Sequence, residues 1–165
     1  MTSNVAYKTG EALQVLSFEV GTQTYCVPVN SVREIRGVTP PTQLPDAPPY
    51  VRGVINLRGQ VMPVIDLSAR LGKGVAEDGP RQVIIVIESG ADVAGLLVDA
   101  VCDSFIVNAD QINPPPSMGE ENSPLVSAVI TSDTGMTVLL SVGHIIPERA
   151  TAAAAAAADG AAIAA

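Results

Sequence analysis

Apolar and polar residues alternate in short runs along most of this chain, and glycine- or proline-rich turns separate the runs. The segment Leu13–Val20 alternates well enough to predict a half-buried strand. The clearest hairpin is predicted from two further runs, Val51–Leu57 and Gln60–Leu67, which are closed by Arg58-Gly59. These patterns predict short, antiparallel strands.

Other segments extend the same pattern. The continuous apolar run Val83–Ile87 has the length of a strand and predicts one that is buried on both faces. Pro28 lacks an amide hydrogen, so the strand before it is expected to end there or to lie at an edge. Residues 12–148 show no long helical period. The chain is therefore predicted to be all-β, a barrel or a sandwich of short strands.

Two pairs of segments resemble each other within the chain. Val29–Glu34 can be laid over Val98–Asp103, and Pro63–Leu67 matches Val138–Val142 in pattern. One interpretation is an internal repeat, with two similar barrels in tandem. The other is that short apolar strands all look alike, and the sequence leaves both open.

The ends of the chain differ from its middle. Residues 1–11 are polar and aperiodic and are expected to form a flexible tail, while 149–165 form an alanine-rich, low-complexity tail. Alanine favours helix, but isolated helices shorter than about 12–15 residues are marginal in water. The predicted folded domain therefore spans residues 12–148.

Composition and charge narrow the possible functions. The formal net charge of −8 argues against binding to nucleic acid or to anionic membranes. There is no Trp and charged residues are only 16%, against about 25% in typical soluble domains. A surface so poor in charge is expected to leave apolar patches open, as interaction surfaces do.

Targeting and cysteine signals are weak. The N-terminus lacks the basic-then-apolar order of a signal peptide, and no apolar run has the length of a membrane-spanning helix. Cys26 and Cys102 lie far apart without a metal-ligand spacing. We expect a cytoplasmic protein with two reduced, buried thiols.

Catalytic candidates are few. The sole histidine, His144, has no cysteine nearby, so a surface or capping role is favoured over a metal site or a catalytic triad. Asp133-Thr134-Gly135 matches the loop of aspartic proteases, yet it is also ordinary hairpin-turn chemistry and is preceded by polar residues. No catalytic residue, metal site or cofactor is predicted, and the protease remains an unlikely alternative.

Two segments carry a resemblance to a known family. They are Val32–Gly37, which contains Glu-Ile-Arg-Gly, and Val51–Leu67, which contains Asn-Leu-Arg-Gly and Pro-Val-Ile-Asp-Leu. In this order and spacing they resemble the CheW family, which includes the regulatory domain of the chemotaxis kinase CheA. The resemblance continues through Gln82–Ser89, Gly95–Asp99 and Ile112–Pro114 and covers about residues 12–147. The chain departs from the family's usual pattern at Leu125–Ala128.

The resemblance implies both a fold and a function. The implied fold is two intertwined five-stranded SH3-like barrels. The implied function is a chemotaxis adaptor that couples chemoreceptor tips to CheA in membrane-associated arrays, with receptors at the groove between the barrels and the kinase at the barrel ends. A CheW-like scaffold of a non-motility chemosensory pathway is the alternative. The positions that match the family's receptor-linked residues are Val32, Glu34, Gly53, Arg58, Val83, Gly95 and Val98.

The chemistry of these positions can be argued from the residues themselves. Arg58 at a hairpin apex would present its guanidinium outward, with Gly59 supplying the positive φ of the turn. Glu34 is a candidate partner, although the two could equally form an ordinary surface pair that contributes about 0–1 kcal/mol. Val32 and Val83 are expected mainly to pack in the core. Both glycines are expected to permit bulges or close backbone approach.

Overall fold

The computed structural model describes residues 12–114, 125–132 and 135–146. The tails predicted at 1–11 and 149–165, the turn residues 133–134 and most of the second proline-rich loop lie outside the described residues. Within them the chain forms the following elements: β1 (Leu13–Val20), β2 (Gln23–Pro28), β3 (Val32–Gly37), β4 (Val51–Leu57), β5 (Gln60–Asp66), α1 (Leu67–Arg70), β6 (Val83–Ser89), β7 (Asp92–Val98), β8 (Ala100–Val107), β9 (Ile112–Asn113), β10 (Val126–Ser132), β11 (Gly135–Leu140) and α2 (Val142–Ile145).

The strands form two sheets that exchange segments of the chain. One sheet has the order β3-β6-β7-β5-β4 and the other the order β8-β1-β2-β11-β10-β9. We call them the five-stranded barrel and the six-stranded barrel. The chain begins in the six-stranded barrel, crosses to the other for β3 to β7, and returns with β8. The predicted all-β, intertwined SH3-like architecture is confirmed, and the two-residue strand β9 is an addition that the sequence pattern did not predict.

Each barrel curls around its own apolar interior, and a third apolar cluster lies between them. The interior of the five-stranded barrel consists of Ile55, Leu57, Met62, Val64, Ile84, Val86 and Leu97. The interior of the six-stranded barrel consists of Val15, Cys26, Val107, Ala128, Ile130 and Leu139. The shared cluster takes residues from both sheets, among them Phe18, Ile65, Ile85, Ile87 and Leu140.

Strand β6 shows how the layers are joined. Ile84 and Val86 point into the five-stranded barrel, whereas Ile85 and Ile87 belong to the shared cluster. All four side chains are at most 1% exposed. The predicted burial of this strand on both faces is therefore confirmed, and the strand belongs to two cores at once.

The two barrels have register shifts at matching positions, which favours the internal repeat. Between β3 and β6, the pairing shifts by one residue between Val32 and Glu34. Between β8 and β1, it shifts in the same way at Ser17 and Phe18, opposite Asp103 and Val101. The hairpin β4–β5 is irregular between Val51 and Gly53, and β10–β11 is irregular between Val126 and Ala128. Both barrels also contain one parallel pair, β5 with β7 and β11 with β2.

This repeat is not a simple tandem. Each half of the chain places its first hairpin in one barrel and its later strands in the other. The two segment pairs that echo each other in sequence occupy equivalent places, since Pro63–Leu67 leads into α1 and Val138–Val142 leads into α2.

The two cysteines differ from each other. Cys26 is buried in the six-stranded barrel, and this burial raises the pKa of its thiol to about 12. The prediction that Cys102 is also buried was wrong, because it is exposed. It is the unpaired residue of the β8 bulge, since its neighbours Val101 and Asp103 pair with consecutive residues of β1. A bulge breaks the regular alternation of faces along a strand.

Candidate functional site: a paired arginine and glutamate on the five-stranded barrel

All seven receptor-linked positions lie in the five-stranded barrel. Val32 and Glu34 are on β3, Gly53 on β4, Arg58 at the β4–β5 turn, Val83 on β6, and Gly95 and Val98 on β7. The sequence segments that carry them are separated by up to 66 positions, so the fold brings them into one sheet. They differ strongly in burial and therefore in what they can contact.

Glu34 on β3 and Arg58 at the β4–β5 turn form an ion pair. The Nη1 atom of Arg58 donates to the Oε2 atom of Glu34 at 2.6 Å. Arg36, on the same face of β3, places its Nη1 atom 3.8 Å from the Oε1 atom of Glu34. The Arg58 side chain is 72% exposed and that of Glu34 is 26% exposed. The predicted pair is confirmed, and most of the guanidinium surface remains open to a partner.

The turn that carries Arg58 has a strained backbone. Arg58 has a φ of 52° and Gly59 a φ of 86°. Positive φ at both central residues defines the type I′ hairpin turn, which normally has Asn or Gly at the first of them. The side-chain oxygen of Asn56 accepts a hydrogen bond from the Gly59 amide at 2.8 Å and holds the turn. The prediction assigned positive φ to Gly59 alone, so the strain at Arg58 is a finding of the structure.

The arginines around Glu34 change its titration. The hydrogen bond from Arg58 is the largest cause that lowers the pKa of Glu34 below its usual value, and the positive charges of Arg58, Arg36 and Arg33 act in the same direction. Because the pKa in the folded state is depressed, the stabilisation by this pair is present above the ordinary carboxyl range. It is lost as the pH falls through the lowered pKa.

This predicts a pH dependence that depends on Arg58. In a titration of the side-chain carboxyl carbon by NMR, Glu34 should show a pKa below that of a model glutamate, about 4.3. In the Arg58→Gln variant the pKa of Glu34 should rise, because the largest stabilising contact to the carboxylate is gone. The wild-type titration under the same conditions is the reference. An unchanged Glu34 titration in the variant would contradict the pairing.

The two glycines act through the backbone. A Cβ atom on Gly53 would lie 2.3 Å from the carbonyl oxygen of Thr42, and Gly53 has a φ of 146°. A Cβ atom on Gly95 would lie 2.7 Å from the Cγ2 atom of Ile84. Both glycines are buried. A close approach of another backbone segment, as predicted, is found at Gly53, whereas the neighbour that leaves no room for a Cβ atom at Gly95 is the side chain of Ile84.

The three valines pack against the cluster that the barrels share. Val98 is 1% exposed and belongs to that cluster, while Val32 and Val83 are partly buried against it. Val83 pairs directly with Val98 across β6 and β7. Core packing is therefore a role of all three, as was predicted for Val32 and Val83. Val32 and Val83 in addition keep some surface open beside the junction of the barrels.

A second polar centre was missed by the sequence interpretation. Asp66, at the end of β5, is only 1% exposed and accepts hydrogen bonds from Arg52, Ala69 and Ala76. The Nη2 atom of Arg52 also donates to the Ala76 carbonyl oxygen at 2.8 Å. The Asp66 carboxylate thus caps α1 and ties down the loop that follows it. Its signal in the sequence was a carboxylate placed directly before a helical turn.

The catalytic alternatives have no built site among the described residues. His144 is exposed on α2, and its Nδ1 atom lies 2.8 Å from the hydroxyl of Ser141, consistent with the predicted surface role. Asp133 and Thr134 of the protease-like triplet lie outside the described residues. Across residues 12–114, 125–132 and 135–146, no group of three or more histidine, cysteine or acidic side chains could hold a metal ion. The described part of the chain also has no helix with the length and apolar character needed to cross a membrane.

The two sheets, which exchange segments of the chain, define a small all-β domain of the SH3-like class. A family model described as the CheW-like domain matches residues 14–150. The chain belongs to the CheW family.

Comparison with individual proteins agrees. The chain is 42% identical over 148 residues to the chemotaxis protein CheW of Rhizobium meliloti (strain 1021), covering 89% of this chain and 96% of that protein. It is 38% identical to the chemotaxis protein CheW of Bacillus subtilis (strain 168), covering 70% and 72% of the two chains. The crystal structure of the scaffolding protein TtCheW from Thermoanaerobacter tengcongensis matches with a TM-score of 0.76 at 28% identity, covering 82% of this chain and 92% of that one.

Proposed function

We propose that this protein couples chemoreceptor tips to the histidine kinase CheA within signalling arrays in the cytoplasm, without turning over any substrate. The observation that carries the proposal is the match to CheW proteins over nearly the whole chain, 42% identity across 89% of its length. The exposed Glu34–Arg58 pair supports it, since it presents charge at a hairpin turn.

We infer that the receptor-contact residues lie in the five-stranded barrel, which forms one side of the groove that the resemblance implies. Arg58 and Glu34 are the receptor-linked positions with exposed charge, and Val32 and Val83 add partly exposed apolar surface beside them. A guanidinium that already holds one carboxylate still has unused N–H donors for a second one. Gly53, Gly95 and Val98 are buried, so they support this surface through the backbone and the core.

The Arg58→Ala variant tests the assignment. Removing a charge-assisted contact of about 1.5–3 kcal/mol should lower receptor binding at least tenfold. Folding stability should change little, because an ion pair exposed to solvent contributes little to it. Receptor-containing membranes are sedimented with the protein and the kinase, and the retained kinase is measured.

Arg81→Ala is the matched control. Arg81 is also an exposed arginine, with its side chain 75% exposed, and lies 3.7 Å from Glu19. Its removal should leave assembly unchanged. Equal retention of the kinase by Arg58→Ala and by wild type would reject the role of Arg58, and no retention by wild type would reject the coupling function itself.

A further inference from the structure

The two barrels meet at the apolar cluster that they share. Hydrophobic attraction has no preferred direction, so it brings the barrels together more than it selects one angle between them. Hydrogen bonds do depend on direction, and those that run from one barrel to the other can fix this angle. The side chain of Arg70 makes two such hydrogen bonds.

Arg70 is the last residue of α1, which packs against β5 and β7 of the five-stranded barrel. Its Nε atom donates to the Ile145 carbonyl oxygen at 3.3 Å, and its Nη2 atom donates to the His144 carbonyl oxygen at 2.9 Å. Both carbonyls belong to α2, which follows β11 of the six-stranded barrel. One guanidinium therefore joins the two barrels through two adjacent acceptors.

The two short helices differ in how their last carbonyls can be satisfied. After α1, Gly72 has a φ of 79°, and two local backbone hydrogen bonds of 3.0 Å and 2.9 Å form the Schellman arrangement, with which a chain caps its own helix. The residue after Ile146 is Pro147, whose nitrogen carries no hydrogen and cannot donate to α2. The donors for the last turn of α2 come from Arg70 in the other barrel.

The ring of Tyr50 lies against the guanidinium of Arg70. The Cζ atom of Arg70 is 4.7 Å from the centre of this ring, which is within the range of a cation–π interaction. Tyr50 directly precedes β4 and packs against the shared cluster. Because the ring shields one face of the guanidinium from water, it strengthens the hydrogen bonds to α2 and limits the directions in which they can point.

The internal repeat shows that this contact has a different counterpart on the other side of the junction. Pro63–Leu67 matches Val138–Val142, so Arg70 of α1 corresponds to Ile145 of α2. Ile145 is 0% exposed and belongs to the shared cluster. At one of the two equivalent positions an apolar side chain is thus buried, whereas at the other a planar donor reaches across to the opposite barrel. The junction is asymmetric, and Arg70 gives it a directional contact.

We propose that Arg70 is a positioning residue, which fixes the angle between the two barrels and thereby the width of the groove that receives the receptor. The inference rests on the proposed function, in which the receptor-contact residues of the five-stranded barrel form one side of that groove. The other side then belongs to the six-stranded barrel, so a change in the angle changes the distance between the two sides. Arg70 acts through α2 and is not one of the seven receptor-linked positions.

The angle is measured with N–H residual dipolar couplings of the full chain in a dilute liquid-crystalline medium. In the wild type, couplings from β4 to β7 and couplings from β1, β2 and β10 should fit one alignment tensor. Arg70→Met keeps an apolar stem but removes the donors, so the two barrels should need separate tensors. A common tensor in Arg70→Met that matches the wild type would overturn the proposal.

Arg81→Met is the matched control. Arg81 also joins the barrels, since it precedes β6 and lies 3.7 Å from Glu19 of β1, but it does so by a single contact that is open to solvent. This variant should keep the common tensor, and an equal separation of the barrels in it would contradict a special role of Arg70. Circular dichroism checks that each variant is folded.

Tyr50 provides a second pair of variants in case Arg70→Met does not fold. Tyr50→Phe keeps the ring face beneath the guanidinium and should keep the common tensor. Tyr50→Leu keeps an apolar side chain against the shared cluster but removes the ring face, so the barrels should again need separate tensors. Identical couplings in Tyr50→Leu and Tyr50→Phe would count against the proposal.

Binding to an isolated receptor signalling domain tests the link to the groove. If about a fifth of the Arg70→Met molecules keep the wild-type angle, receptor affinity should fall about fivefold. Arg70→Lys keeps the charge but not the planar pair of donors, so it should lose affinity almost as much. Wild-type affinity in Arg70→Lys would mean that the charge itself meets the receptor, and would overturn the positioning role.

The two proposals fail in different ways. Wild-type receptor affinity in Arg70→Met, together with separate tensors, would overturn the link between the angle and the groove and leave the coupling function standing. Wild-type protein that binds neither receptor nor kinase would overturn the coupling function, whereas separate tensors in Arg70→Met would still support the role of Arg70 in fixing the angle.

Discussion

The Gly53→Ala variant is expected to lose about 3 kcal/mol or more of its free energy of unfolding, from backbone strain and broken hydrogen bonds. Gly53 has a φ of 146°, and an added Cβ would meet the carbonyl of Thr42 at 2.3 Å. Thr42 is held there by two backbone hydrogen bonds of 2.8 Å to Val54. The clash is with backbone, which cannot rotate away, so the loop before β4 has to detach.

Urea unfolding followed by far-UV circular dichroism measures this loss. Gly59→Ala is the matched control, because Gly59 also has positive φ, 86°, but no atom within 4 Å of an added Cβ. It should lose only about 1 kcal/mol. The loss in Gly59→Ala measures the cost of positive φ alone, and the additional loss in Gly53→Ala measures the cost of the clash with Thr42.

The same pair of variants separates two explanations of the family's glycine at this position. One explanation is that Gly53 is needed only to let the loop before β4 pack against the strand. In that case Gly53→Ala should lose receptor binding in proportion to the fraction of protein that is misfolded or has a detached loop. Wild-type stability combined with lost receptor binding would instead mean that the partner contacts Gly53 directly. That result would contradict the backbone role.

Much of the fold follows from local patterns. The hairpin β4–β5 was predictable because alternation, turn residues and strand length all agree over Val51–Leu57 and Gln60–Asp66. The buried β6 was predictable because a continuous apolar run has no polar face to present to water. These strands can be predicted from one sequence because their local residue preferences agree with the final structure.

The features that were missed depend on register or on distant partners. The exposure of Cys102 follows from a bulge in β8, and one extra residue reverses the faces of the residues around it. The parallel pairs β5–β7 and β2–β11 join segments far apart in the chain, and no periodicity specifies them. The exchange of hairpins between the barrels follows from those pairs.

The candidate site also contains features that could be predicted from the sequence and features that could not. The charges of Glu34 and Arg58 and the need for glycine at two positions could be argued from residue chemistry and the family resemblance. The contacts of Asp66 with Arg52 and Ala76 could not, because these donors lie 14 and 10 positions away along the chain and meet the carboxylate only in the folded protein.

The Asp66→Ala variant is expected to lose about 2–4 kcal/mol of stability, the range for removing one member of a buried, hydrogen-bonded ion pair. The Oδ2 atom of Asp66 accepts from Arg52 at 3.1 Å and from the Ala76 amide at 2.9 Å, and Oδ1 accepts from the Ala69 amide at 3.3 Å. Truncation leaves these donors without their acceptor. The loss should stay below the largest known values, because the Arg52 side chain is 31% exposed and can turn to water.

Urea unfolding gives the stability, and hydrogen exchange at the Ala76 amide reports on the loop that Asp66 holds. That amide should exchange much faster in Asp66→Ala, while amides in the middle of β6 should follow global unfolding only. Asp78→Ala, in the same loop but exposed, should change stability by less than about 0.5 kcal/mol. Because α1 and β5 pack close to β7, loosening this end of the five-stranded barrel should also weaken receptor binding. Wild-type protection of Ala76 in Asp66→Ala would show that the loop is held by other contacts.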